Sequence, residues 1–370
     1  DVKRWNTCAV ERKDLLSVKK MSVCRVAWIF AGSVLGAGLV SGQELWQFFG
    51  RFGIRGWAGL IVSMLLFMLL GGATLVTAHR ADTPQVDKVI LPFRSEFFSA
   101  VVCVLQLLFL VSLVTVMISG AGELANSITG QPKWIMCLIT SVIAVVISFA
   151  GINGAAAVFS FCVPVIAFAS VAFSVAAIFC FGKGGYTAEY ANSGTIAEIA
   201  AAFTYASYNS FASLGVLCPF AVKVRDKKTL MRGAALGTLV LAVISASILA
   251  ALYVYPHAPS QSMPMLALAF ALNPISGYIY GALLFMGLLQ TAVSGIAAFD
   301  ALMCNKSVFY RKKRFLMLIF FGAAVFVLSL FDFSVLIKTV YPVFGYINAF
   351  FTAGILINLI NMSRRCSQTE

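Results

Sequence analysis

The chain has 370 residues, 61% of them hydrophobic and 11% charged, with a mean hydropathy of +0.94. That balance excludes an ordinary soluble domain and makes the lipid bilayer the expected surroundings. The net charge of +13 would suit nucleic acid, but the Lys and Arg residues gather between apolar runs, so no nucleic-acid partner is expected.

A hydrocarbon layer about 30 Å thick needs roughly 20 apolar residues at 1.5 Å rise, and such runs recur from Val23 to Ile360. Leu60 to Leu70 and Leu105 to Val116 are almost continuously apolar, which argues against the alternation of barrel strands. Residues 1–21 form a basic polar segment without a cleavable signal, and the start at Asp1 reads as an incomplete N-terminus. The runs then give about ten spans, centred near Gly36, Leu66, Leu110, Ala144, Ile166, Ser207, Ala242, Gln290, Val325 and Tyr346. The fourth and fifth are divided only by Gly151, Asn153 and Gly154. Cys103, Cys137, Cys162, Cys180, Cys218 and Cys304 fall in or beside apolar runs with no CxxC pair, and read as reduced packing residues.

The excess of Lys and Arg on the cytoplasmic side fixes the expected orientation. With the N-terminus inside, that side receives Lys3, Arg4, Arg12, Lys13, Lys19, Lys20 and Arg25, then Arg80, Lys88 and Arg94. It also receives Lys223, Arg225, Lys227, Lys228 and Arg232, then Lys306, Arg311, Lys312, Lys313 and Arg314, and finally Arg364 and Arg365. The outer side keeps Arg51, Arg55, Lys133 and Lys183, while Lys338 in the tenth span snorkels outward. Both termini are therefore expected in the cytoplasm. Span one then starts inside and span six outside, so two five-helix blocks, 22–182 and 183–361, have opposite topology, with a cytoplasmic tail over 362–370. Inverted repeats of this kind are a transporter signature. Between Tyr255 and Pro274, the short apolar piece Met265 to Leu272 reads as a small helix, either a lid over a pathway or an interfacial helix with no gating role.

Two spans carry polar chemistry at mid-membrane. In the first, Gly32, Gly36, Gly38 and Gly42 weaken the helix, each by about 1 kcal/mol relative to Ala, and Ser33, Ser41, Gln43 and Glu44 lie close by. Gly36 lies about 16 Å along the axis from Arg25, near the midplane. Unwinding there would free backbone groups that must meet protein, water, an ion or a substrate; the competing reading is close helix packing, for which Gly32 and Gly36 have the spacing. In the sixth, Thr204, Tyr205, Ser207, Tyr208, Asn209 and Ser210 form a polar cluster without Gly or Pro. That cluster supports a local break or interhelical hydrogen bonding.

GAGLVSGQELWQFF in the first span, YASYN in the sixth and Tyr341-Pro342-Val343-Phe344-Gly345-Tyr346 in the tenth resemble the YkvI-like membrane proteins of the amino acid, polyamine and organocation transporter superfamily. The resemblance covers nearly the whole chain and implies a leucine-transporter-like fold, all-α, with about ten helices in a five-plus-five inverted repeat and discontinuous first and sixth helices. It implies a substrate site at the two breaks, formed by Ser33, Gly36, Ala37, Gly38 and Ser41 with Tyr205, Ser207, Tyr208 and Asn209. Amides of the second half of the first helix would meet a carboxylate. It also implies that the carbonyls of Gly32 and Leu35 could meet Thr291 and Ser294 around a sodium ion. These hydroxyls are three apart and share a face, but could instead bond back to carbonyls one turn earlier. Proton-coupled relatives can carry a lysine in the fifth helix; Gly154 to Phe181 has no charged residue, which favours sodium. Glu44 offers a proton route instead, either as an interfacial carboxylate or as a buried titrating group.

Asp300 marks the inner end of the eighth span, and His79 and His257 sit at loop edges. No GxSxG, HExxH, Walker loop or paired acidic metal motif is present, so no enzyme and no cofactor is expected beyond Na+ or H+ as coupling ion. The expected function is a secondary active transporter of a small solute, an amino acid or related amine. The alternative is a ligand-sensing membrane subunit of the spore-germination type. Substrate identity and oligomeric state are not encoded legibly.

Overall fold

The computed structural model describes residues 21–91, 95–182, 195–255 and 262–333 and shorter stretches up to 358, apart from the side chains of Ile152, Asn153 and Thr195. Lys3, Arg4, Arg12, Lys13, Lys19, Lys20, Arg94, Lys183, His257, Lys338, Tyr341, Pro342, Arg364 and Arg365 lie outside the described residues. The described residues are overwhelmingly helical and form no regular strand.

The first span is three pieces, α1 (Val23–Val34), α2 (Ala37–Val40) and α3 (Gln43–Phe48), followed by a 3-10 turn over Gly50–Arg55. Then come α4 (Gly56–Arg80), α5 (Val86–Ile90), α6 (Glu96–Thr129), α7 (Lys133–Ser148) and α8 (Gly151–Phe181). The second half has α9 (Thr195–Ala221), α10 (Lys227–Val254), α11 (Pro264–Leu272), α12 (Pro274–Lys306), α13 (Val308–Lys312) and α14 (Arg314–Leu328). Further helical stretches lie between Val343 and Asn358. Among the described residues, α4 with its preceding turn, α6, α8, α10 and α12 are long and apolar enough to cross a membrane. This is a multi-pass membrane protein.

Local chemistry sets the ends. Ser22 caps α1 by accepting from the Arg25 amide, Asp226 caps α10 through Lys228 and Thr229, and Asn273 caps α12 with Pro274 in its first turn. The corner between α7 and α8 falls at Phe149 and Ala150, and Gly151 takes φ +61, a left-handed value that glycine adopts without strain. The narrow division expected there is present. Asp300 is not the end of the eighth span, because α12 runs on to Lys306; its buried carboxylate pairs with Arg314 at 2.7 Å and accepts from Tyr310. That contact fixes the turn from α12 through α13 into α14.

The central helices are α1, α9 and α12. Helix α12 packs against α6, α7 and α8, while α9 lies along α4, and α1 is enclosed by α8, α9 and α10. Of the long apolar helices α12 is the most enclosed and α8 the least, so α8 turns much of its surface to lipid, as Phe161, Phe168 and Phe179 do. The polar cluster expected to interrupt the sixth span does not do so: α9 is one helix from Thr195 to Ala221. The physical reason is that its polar side chains bond back along their own helix. Thr204 donates to the Ala200 carbonyl at 2.7 Å, Asn209 to Tyr205 at 3.1 Å and Ser213 to Ser210 at 2.7 Å. Ser63 of α4 and Gln106 of α6 bind the Ala202 and Phe211 carbonyls from outside.

Candidate functional site

The break in the first span falls at Leu35 and Gly36. The Leu35 amide closes the last turn of α1 on Ala31 at 2.7 Å, but the Gly36 amide donates to Val34 at 2.8 Å rather than four residues back to Gly32. The Gly32 carbonyl thereby loses its ordinary helical donor. The Leu35 carbonyl is met by the side-chain amide of Gln290 on α12, at 2.9 Å. A second bend follows at Gly42, φ +80, between α2 and α3. Both sequence readings of the glycines hold, at different positions. Gly32 is a packing residue, since a Cβ there would lie 2.8 Å from Val163 and 2.9 Å from Phe159 of α8, whereas Gly36 sits in the break.

The break faces a cavity of about 30 Å³, room for about two waters at ~10–15 Å³ each. Its walls include Ser33, Gly36 and Glu44 from the first span, Tyr208 and Asn209 from α9, and Thr291 and Ser294 from α12. Seven sequence-predicted residues therefore meet at one place. Ala37, Gly38, Ser41, Tyr205, Ser207, Gly32 and Leu35 are close in sequence but do not line it. The Ser33 hydroxyl donates to Phe30 at 2.8 Å and the Ser41 hydroxyl to Gly38 at 3.0 Å. Tyr205 is fully buried among Phe48, Phe49, Phe67 and Tyr208, with ring centroids 5.1 to 5.6 Å away.

Thr291 donates to Gly287 and Ser294 to Thr291, both at 2.9 Å. Each hydroxyl keeps its lone pairs, but the Gln290 amide places hydrogens on one of the two carbonyls expected to meet sodium. The Leu35 carbonyl has a second lone pair, so the Gln290 bond takes up only part of its acceptor capacity.

Glu44, in the first turn of α3, is 4% exposed, which decides between the two sequence readings: it is buried rather than interfacial. Its carboxylate lies directly against Gly38, where a Cβ would collide with it. Sequence reasoning missed Gln290, as well as the apolar wall from Leu110, Leu113 and Met117 on α6. The signal for Gln290 was present, since a primary amide in the middle of an apolar run is costly unless bonded.

At one end of the site, α11 folds over the first span. The Met265 amide donates to the Ser41 carbonyl at 2.9 Å, and the Tyr280 hydroxyl donates to Val40 at 2.7 Å. Tyr253 donates to the Gly53 carbonyl, and Arg55 approaches Glu198 at 3.9 Å. On the other side a second cavity, sharing Leu110 and Ala298 with the first, is lined by Asp87, Cys103, Gln106 and Lys306.

The fold can be placed among solved ones. The chain superposes on a Na+-coupled sialic acid symporter in a substrate-bound outward-open state with a TM-score of 0.70, at 12% identity, covering 93% of this chain and 81% of that one. MhsT in complex with L-phenylalanine gives 0.65 at 15%, covering 92% and 89%. Mhp1, a nucleobase-cation-symport-1 family transporter with bromovinylhydantoin bound, gives 0.58 at 15%, covering 90% and 76%. The fold is leucine-transporter-like. In sequence, the chain is similar to the uncharacterized membrane protein YkvI of Bacillus subtilis strain 168, 26% identical over 338 residues, covering 91% of this chain and 96% of YkvI. YyaD of the same organism is 22% identical over 340 residues, covering 89% and 94%. No protein-family model matches the chain. The expected resemblance is thereby met at the level of these relatives and of the fold.

Proposed function

We propose that the chain is a secondary active transporter that moves a small solute, an amino acid or a related amine, by alternating access at the break between α1 and α2. The observation that carries this reading is the convergence of Gly36, Glu44, Asn209, Thr291 and Ser294 on one cavity beside unwound backbone. Irregular backbone inside a bilayer is tolerated where it lines such a cavity. The present volume is below that of an amino acid, so loading requires the walls to part.

In this reading both termini lie in the cytoplasm, α11 covers the outer entrance, and the Asp87 and Lys306 cavity is the inner vestibule. The gradient that drives transport is one of sodium or protons. Among the residues present, Glu44 is the group suited to carry a proton, while Thr291 and Ser294 offer hydroxyl oxygens of the kind sodium takes.

Uptake of labelled amino acids and amines into proteoliposomes, under an imposed sodium or proton gradient, tests the reading. Wild-type protein should concentrate a solute, and Gly36→Leu with Asn209→Ala should abolish this without loss of folding. Unchanged uptake in the double variant overturns the site, and saturable binding without flux would make the protein a sensor.

A further inference from the structure

The charge distribution around the cavity is lopsided. Glu44 is the single charged residue among those lining it; the rest are Ser, Thr, Asn, Tyr, Gly and apolar side chains. The groups that face this carboxylate can be taken element by element. Helix α9 brings Tyr205, Tyr208 and Asn209, α12 brings Thr291 and Ser294, and α6 brings Leu110, Leu113 and Met117. Around the adjoining turn at Gly42, α10 and α11 contribute Leu252 and Met265. None of these is a Lys, Arg or His; on the 3-10 turn that packs against α3, Arg51 lies over the Phe52 ring at 4.8 Å and Arg55 approaches Glu198 at 3.9 Å. The ion pairs formed among the described residues, Arg55 with Glu198, Lys306 with Asp87 and Arg314 with Asp300, all leave Glu44 out.

A carboxylate removed from water without a cation beside it is a costly species. The start of α3 supplies a partial positive charge, which offsets only part of that cost. The site therefore calls for one mobile positive charge. The carboxylate also lies against Gly38, in α2, where a solute's own carboxylate would approach the unwound backbone and meet like charge. A cationic nitrogen, in contrast, would meet the Glu44 carboxylate and, next to it, the Tyr208 ring and the hydroxyl that bonds to that carboxylate. Phe48, one turn beyond Glu44, backs that ring at 5.7 Å.

We propose that Glu44 binds either a proton or the cationic nitrogen of an organic ammonium or guanidinium solute, never both, so that the carrier exchanges one for the other. This rests on the transport reading given above and narrows it to cations. At one membrane face the O–H bond of the protonated carboxyl breaks, the proton passes to water and the organic cation takes its place. At the other face the cation leaves and water returns a proton. One positive charge crosses in each direction per cycle, so the exchange is electroneutral, and the bare carboxylate does not reorient because nothing compensates it.

The test uses proteoliposomes loaded at pH 5.5 with a trapped pH-sensitive dye and placed at pH 7.5, with the membrane potential clamped. Choline, tetramethylammonium and guanidinium are added outside, since these carry their charge too firmly to cross as free bases. L-alanine, L-phenylalanine and glycine betaine serve as zwitterions. Wild-type protein should alkalinise the lumen with at least one of the three cations, one proton leaving per labelled cation entering, and with none of the zwitterions. Apparent affinity for the cation should rise about tenfold per pH unit while Glu44 is protonated, and level off above. Glu44→Gln should lose the proton movement entirely, and Glu44→Asp should retain part of it; matching thermal melts establish that both are folded. Proton movement that survives Glu44→Gln overturns the proposal. So does zwitterion uptake by wild-type protein with no response to any cation, an outcome that leaves the transport reading standing. No flux of any solute overturns both.

Discussion

The side-chain amide of Gln290 donates to the carbonyl of Leu35 at 2.9 Å, joining α12 to the point where the first span unwinds. This bond satisfies a carbonyl that the break would otherwise leave buried. Gln290→Leu should cost about 1–3 kcal/mol, the usual penalty for stranding a buried acceptor. The lower half of that range is expected, because the Gln290 oxygen has no partner of its own among the described residues. Unfolding in detergent micelles would measure it, and a variant as stable as wild type would show that the carbonyl finds another donor.

Gly38 and Glu44 are coupled by contact. A Cβ at position 38 would fall on the Glu44 carboxylate, so Gly38→Ala should displace that side chain and abolish transport even though Ala favours helix. The cost of Gly38→Ala to stability should disappear in a Glu44→Ala background. A double-mutant cycle on thermal stability is expected to give an interaction of about 1–3 kcal/mol. Simple additivity would mean that the carboxylate is not held against Gly38.

These two contacts mark where the sequence could be read and where it could not. The apolar runs, the glycine-weakened first span, the corner at Gly151 and the short helix between Pro264 and Pro274 all follow from composition and backbone chemistry local to each segment. The break at Gly36 was visible for the same reason. The sixth span misled, because Ser, Thr and Asn can either pull a helix apart or bond back within it, and only the neighbours Ser63 and Gln106 decide between these outcomes. Gln290 was missed because its role depends on a carbonyl in another helix, and pairing across the bundle leaves no local pattern. Glu44 was noticed, but its burial depends on how α3 folds back at Gly42.

The contact of α11 with the first span can be loosened without dismantling either segment. Met265 is the second residue of α11, so its amide has no partner within its own helix and instead reaches Ser41. Met265→Pro removes that donor at a position where a helix tolerates proline. Stability should fall by about 0.5–1.5 kcal/mol. Hydrogen exchange in α11 and in residues 37–42 should quicken together. Faster exchange in α11 alone would show that this bond does not tie the two segments.

Asp226 caps α10 with its carboxylate accepting from the amides of Lys228 and Thr229 at 3.1 and 3.2 Å. Those bonds, the Lys228 amide foremost, hold its pKa below the ordinary 3.8. A depressed acid contributes its full stabilisation above the unfolded value and loses it as pH falls through the folded one. Asp226→Asn should therefore differ most from wild type near neutrality, and the two melting curves should converge below about pH 3. A difference that is constant with pH would mean the charge is irrelevant to the cap.

Lys306 lines the second cavity. Its ammonium meets Asp87 at 3.1 Å and donates to Ser99 at 3.2 Å, while Ser99 also donates to Asp87, so α5 is fastened to the end of α12. Asp87 is largely buried and Lys306 partly exposed, so solvent screening trims the pair; Lys306→Met should cost about 1–3 kcal/mol, mostly from the carboxylate left behind. Cys103 lines the same cavity and is itself buried, which makes it a native reporter. With the other cysteines replaced, a membrane-impermeant thiol reagent applied from the cytoplasmic side should label Cys103 faster in Lys306→Met. The increase should be about tenfold for each ~1.4 kcal/mol lost from the closed state. Asp87→Asn added to Lys306→Met should restore slow labelling in part, because it removes the stranded charge. Equal labelling of wild type and Lys306→Met would show that the pair does not hold this passage shut, and labelling only from the outer face would reverse the orientation drawn from the Lys and Arg distribution.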